Sequence, residues 1–343
     1  MMSRPGFRIV LAFLGAWLLV SPGEAQQVVI KLGTVAPQGS TWHDVLLQIR
    51  QDWREISNGE VELRIYPGGV LGGEEEMVRK VRRRGLDAVA ISGAGLPQID
   101  DSADCLNLPM FFDSYQELDY IRERIAPELE RRIALRHFKV LNWSDAGWVY
   151  FFTTEPARTP DDLRKMRLWT TVGDPEAEKL FKDVGFQVVP LAATDLLTSL
   201  QTGLIDAIDV PPLFALIDRT YLVANHMIDL RWAPLNAATV ISETSWEKIP
   251  ESYRPALLKA ARDAGEQLRD EIRQAGEDAV GEMAARGLKV VELDDATRAL
   301  WRAEVEAVYP KLRGTLAPAD LFDEVVRLRD EFRSGTRTPR PAQ

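Results

Sequence analysis

A chain of 343 residues is long enough for two separately packed cores, and its net charge of −10 has the wrong sign for a nucleic-acid partner, which needs a basic footprint. Its single cysteine, Cys105, has no second thiol to pair with and reads as a small buried hydrophobe within Cys105-Leu106-Asn107-Leu108.

The first residues read as a secretory leader. Arg4 and Arg8 precede an apolar run over residues 9–20, too short to cross a hydrocarbon core of about 30 Å. Pro22 breaks the run, and Gly23-Glu24-Ala25 offers small residues at a cleavage site, so residues 1–25 are expected to be a signal peptide. No later apolar run approaches a membrane span, which predicts a soluble, periplasmic product that is not embedded in the membrane.

The mature chain opens on a β-branched strand, Val28-Val29-Ile30-Lys31-Leu32. Ser40 or Thr41 is placed to cap a helix that ends near Gly59. Residues 61–66 alternate apolar and charged, as a half-buried strand does. A turn at Pro67-Gly68-Gly69, a charged helix over 74–84 and a short apolar strand over 87–91 complete a β-α-β-α-β opening. A helix capped by Ser114 and strands over 138–143 and 149–153 follow. After Pro160 the rhythm restarts, with strands over 166–170, 186–189 and 206–210 and helices over 175–183 and 194–201. Two β/α blocks imply two α/β domains with a cleft between them. Strand-like returns over 227–232 and 237–242 precede one long helical stretch over 252–285, a short strand over 288–293 and helices over 295–309 and 318–333.

Signals for enzymatic chemistry are weak. The glycine loop over 67–73 lacks the Lys-Ser/Thr of a phosphate cradle, and Glu74, Glu75 and Glu76 occupy the helix start where a phosphate would sit. His43, His137 and His226 lack metal-ligand spacing, and no GxSxG elbow occurs. No enzyme activity, metal or cofactor is expected.

Arg167 stands out in the apolar run Met166-Arg167-Leu168-Trp169. A buried charge needs a partner. Either an internal carboxylate such as Asp195 or Asp209 supplies it, or the carboxylate of a ligand does. Trp169 shares the strand face of Arg167 and is placed to cover a ligand's organic body. Trp148 and Trp143 lie where one β/α block gives way to the next, where core packing and a ligand wall are both plausible roles.

At these residues the chain resembles the DctP-type solute-binding proteins of tripartite ATP-independent periplasmic (TRAP) transporters. The resemblance runs over nearly all of the mature chain. It includes Lys31-Leu32-Gly33-Thr34-Val35-Ala36-Pro37, Ser40-Thr41-Trp42-His43, Ser57-Asn58-Gly59 and Tyr66-Pro67-Gly68-Gly69. Further along it takes in Leu108-Pro109-Met110-Phe111, Leu200-Gln201-Thr202-Gly203 and Ile205-Asp206-Ala207. It implies a two-lobed, clamshell-like α/β receptor with a long helix spanning both lobes. Lobe I would hold residues 26–146 and about 236–275, and lobe II residues 147–235 and about 276–313. A C-terminal helix over 314–333 and a disordered tail over 334–343 would follow.

The resemblance further implies that Arg167 anchors a ligand carboxylate and that the small and large TRAP membrane subunits are partners. Three departures stand out. No arginine follows Gly147, Val210 rather than a polar residue precedes Pro211, and Trp169 replaces a proline. The expected ligand is therefore a fairly apolar monocarboxylate, with Trp169, Trp148 and Val210 as walls, Ser92 offering a hydroxyl and Asn236 an amide. The alternative is a ligand-sensing receptor of the same fold that feeds a signalling or scaffold partner.

Overall fold

The computed structural model describes residues 27–172, 175–267 and 269–335. The expected leader, and the tail beyond Gly335, lie outside the described residues.

Strand β1 (Val28–Thr34) runs parallel to β2 (Val61–Tyr66) and β3 (Ala88–Ser92). Between them lie helices α1 (Thr41–Ile56) and α2 (Glu74–Arg82). Ser40 caps α1 by accepting from the His43 N–H at 3.3 Å, and Val45, Leu46, Ile49 and Trp53 fall on the buried face at helical spacing. Helix α3 (Tyr115–Ala134), capped by Ser114, leads into β4 (Phe138–Thr153).

β4 is one strand of 16 residues where two separate strands are expected from sequence. Sixteen residues at about 3.3 Å each reach about 50 Å, long enough to serve both lobes. Its register shifts between Asp145 and Gly147 against strand β9 (Ala233–Ser242). Gly147 supplies the positive φ of 111° that the irregularity requires, a backbone conformation that side chains with a Cβ rarely adopt.

The second half contains α4 (Pro160–Arg164), β5 (Arg167–Thr171), α5 (Pro175–Asp183) and β6 (Gln187–Leu191). α6 (Leu196–Gln201), β7 (Ala207–Val210), α7 (Pro212–Ile217) and β8 (His226–Ile228) follow, before the chain returns through β9. The strand order is β2-β1-β3-β9-β4-β7-β5-β6, with β8 paired to the far end of β4. β5 is parallel to β6 and β7, whereas β4 is antiparallel to β7 and β9. Two β/α lobes therefore share β4 and β9 as their connection.

After the short α8 (Glu243–Trp246), the expected single helix over 252–285 is described as α9 (Arg254–Gln267) and α10 (Arg269–Ala285). α9 packs on α1 and β4, and α10 packs on both β4 and α7, so together they touch both lobes. Strand β10 (Lys289–Val291) pairs with β8. Helices α11 (Asp295–Glu306), α12 (Tyr309–Leu312) and α13 (Ala319–Ser334) close the chain. Leu321, Phe322, Val325 and Leu328 of α13 pack against α3 residues such as Leu118, Ile121 and Ile125. Cys105 is fully buried in this same cluster and is a free thiol. Among the described residues no helix is long and apolar enough to cross a membrane.

Candidate functional site

Two cavities, of about 410 and about 230 Å³, share Ala94, Trp169, Thr171, Asp209 and Leu235 in their walls. They lie where the carboxyl ends of β3, β5 and β7 face one another, the usual ligand position in open α/β sheets. β4 and β9 contribute Ser144, Ala146, Ala237 and Thr239 to the larger one. Elsewhere its wall is mainly apolar, including Val35, Trp42, Leu46 and Phe214.

Three of the expected ligand residues line this larger cavity: Trp169, Val210 and Ser92. Trp169 is 8% exposed, and its indole N–H donates to the Leu191 carbonyl at 2.9 Å, so its ring is fixed as a wall. Val210 ends β7 just before Pro211, which caps α7. Ser92 lies at the rim, but its hydroxyl donates to Glu74 at 2.9 Å, and its N–H donates to the same carboxylate at 2.8 Å. Its donor is therefore already used. Glu74 is the first residue of α2, and burial raises its pKa despite the two hydrogen bonds from Ser92.

The other three lie outside both cavities. Arg167 is the first residue of β5, at its amino end, and lines neither cavity. Its guanidinium donates through Nε at 2.7 Å and Nη2 at 2.6 Å to both carboxylate oxygens of Asp206, and its own N–H also donates to Asp206 at 3.0 Å. This bidentate pair holds the Asp206 carboxyl below the ordinary carboxylate range. The counter-charge is internal, and it is Asp206 rather than Asp195 or Asp209.

Trp148 lines neither cavity and packs with Tyr115, ring centroids 5.4 Å apart, in the cluster that joins α3 to α13. Asn236 is 1% exposed and its amide is spent internally. It accepts from Arg122 at 3.1 Å and donates to the Leu106 carbonyl at 2.9 Å.

Asp209 is the functional candidate that sequence reading passed over, having considered it only as a possible partner of Arg167. It is the third residue of β7, opposite Phe151 on β4, and lies in the wall of both cavities. No other side chain among the described residues bonds its carboxylate. Burial pushes its pKa up to about 7, offset only in part by its own backbone N–H. An unfolded aspartate ionises near 3.8, so the folded protein holds this proton in the window from about pH 4 to pH 7. Stability is therefore lost across that window as pH rises. Asp209→Asn should raise the stability of the unliganded protein at pH 8 by on the order of 2–4 kcal/mol and leave it unchanged below pH 4. Urea unfolding at the two pH values measures this, and a pH-independent difference would contradict the assignment.

Among the described residues no group of three or more His, Cys, Asp and Glu side chains is disposed to hold a metal.

The family model for bacterial extracellular solute-binding proteins, family 7 (DctP), matches residues 32–314. The chain belongs to this family. Relatives agree in extent. A solute-binding protein of Roseobacter denitrificans is 26% identical over 328 residues, covering 90% of this chain and 95% of the relative. The C4-dicarboxylate-binding periplasmic protein DctP of Rhodobacter capsulatus is 22% identical over 314 residues, covering 89% and 93%. Among solved structures, the sugar acid binding protein DctPAm of Advenella mimigardefordensis, in complex with galactonate, superposes with a TM-score of 0.83 at 18% identity. That match covers 89% of this chain and 99% of the other, and the likeness is one of fold. The two-lobed α/β architecture of the DctP family is thus the architecture of this chain, and the family is one of solute-binding proteins.

Proposed function

We propose that this DctP-family chain is exported by its N-terminal leader to the periplasm, captures a small organic solute in the cleft between its lobes, and delivers it to the small and large membrane subunits of a TRAP transporter. The observation that carries this reading is the pair of joined cavities whose walls draw on both lobes. A solute seated there touches Ser92 and Ala94 from one side and Trp169 and Val210 from the other, so it favours the closed arrangement of the lobes. Transport follows if the membrane subunits distinguish closed from open.

The apolar lining suits a ligand with an apolar body. The apolar monocarboxylate expected from the sequence rested on Arg167 as anchor, and that support is gone now that Arg167 pairs with Asp206 outside the cavities. Two of the named relatives bind polar acids, a C4-dicarboxylate in one case and galactonate in the other.

A thermal-shift panel of organic acids, alcohols and amines on the mature chain, residues 26–343, tests the proposal. A solute at a hundredfold excess over its dissociation constant should add about 2.7 kcal/mol of stability. Ala94→Trp, which fills the junction of the two cavities, should abolish the shift. A shift that survives this substitution would place the solute elsewhere.

A further inference from the structure

The charges that line the cleft are mostly acidic, and those that have partners are spoken for. In the larger cavity Glu74 is held by Ser92, Glu76 pairs with Lys80 at 3.1 Å, and the one cation, Arg79, pairs with Glu75 at 2.6 Å. In the smaller cavity the charged residues are Asp104, Asp209 and Glu304, and Glu304 is bound by Arg164 at 2.6 Å. Asp209 alone is common to both and has no side-chain partner among the described residues. An ionised carboxylate set in an apolar wall without a counter-charge is costly. A ligand carboxylate placed beside it would add like charge, with no unengaged cation among the described lining residues to offset it. A ligand cation would supply what the wall lacks.

We propose that the solute taken by this cleft carries a protonated nitrogen set against the Asp209 carboxylate at the junction of the two cavities, with its apolar body against Trp169. The inference rests on the cleft being the solute site and names the class of solute. The chemistry sought is that of a primary or secondary amine on an apolar frame. The ammonium donates to Asp209, the Thr171 hydroxyl lies in the same wall, and the indole face of Trp169 adds a cation–π and apolar contact. Because Asp209 must be ionised to receive the cation, affinity for an amine rises with pH through neutrality.

Isothermal titration calorimetry with three matched probes, 2-phenylethylamine, 3-phenylpropanoate and 3-phenylpropan-1-ol, tests this on residues 26–343. The amine should bind at least tenfold more tightly than the other two at pH 8, and more tightly at pH 8 than at pH 6. Asp209→Asn, verified as folded by its thermal melt, should lose at least tenfold for the amine and little for the alcohol. Ala94→Trp should remove binding altogether. If 3-phenylpropanoate binds most tightly and Asp209→Asn strengthens it, the class assignment is overturned while the cleft stands as the site. Amine binding untouched by Ala94→Trp would instead overturn the cleft. No binding by any of the three probes would overturn the class assignment and leave the cleft to be judged by the wider panel.

Discussion

Replacing Asp145 by alanine should destabilise the protein by about 3–5 kcal/mol, because it removes one of the two anions from a largely buried network of arginines and aspartates. Asp145 lies in β4, is 1% exposed, and accepts from Arg122 and from Arg273 Nε, the latter at 2.6 Å. Asp119 of α3 closes the network, accepting from Arg122 at 2.7 Å and from Arg273 at 2.7 and 2.8 Å. Arg269 also approaches Asp119, at 4.0 Å, so three arginines face two aspartates. Without Asp145, Arg122, which is 4% exposed, keeps its charge with half of its counter-charge gone.

The network also ties α3 and α10 to β4, and through Asn236 to β9, the two strands that join the lobes. The two arginines hold the Asp145 carboxyl below its ordinary pKa against the cost of burial. Its contribution is therefore present above the unfolded carboxylate pKa and lost as pH falls through the folded value. Urea denaturation at pH 7 measures the effect. A loss under 1 kcal/mol would show that water replaces the missing anion and that the network does not hold the lobe connection.

Trp169→Ala should act on stability and binding together. The side chain is nearly buried and packs with Phe152, Leu196, Ile208 and Val210, so its removal should cost about 3 kcal/mol. It is also the largest side chain common to both cavities, and its loss should weaken solute binding at least a hundredfold. Trp169→Phe keeps an aromatic wall but loses the hydrogen bond to Leu191, and it should recover most of the affinity. If the alanine variant binds as tightly as the parent once its folded fraction is accounted for, the indole is core packing alone.

The elements were largely legible because their signals are local. Ser40 and Ser114 cap the helices they precede, and the β-branched run at Val28-Val29-Ile30 forms the first strand. What depended on pairing was not legible. Alternation along a strand correctly sets Arg167 and Trp169 on one face, but it says nothing of which end meets the cleft. β5 and β7 are parallel, with Leu168 opposite Ala207, so Arg167 comes to lie beside Asp206 at the amino ends of the strands. Trp169, about 6–7 Å further along, reaches the carboxyl ends where the cavities open. Only the register separates the two roles.

Trp148 and Asn236 lie outside both cavities for a related reason. Both flank the lobe connection, and both are claimed by contacts with α3 and the segment before it, distant in sequence. Asp209 had a local signal, one acid in the apolar strand Ala207-Ile208-Asp209-Val210, but that it has no side-chain partner among the described residues is visible only in three dimensions.

We propose that solute is held at the carboxyl ends of the strands by the wall around Trp169, and not by Arg167. The most direct test is the dissociation constant of the tightest solute from the panel, measured for Arg167→Ala beside the parent protein. The expected change is less than threefold, since that guanidinium is engaged by Asp206 outside both cavities. A loss of a hundredfold or more in a variant that remains folded would return Arg167 to the site.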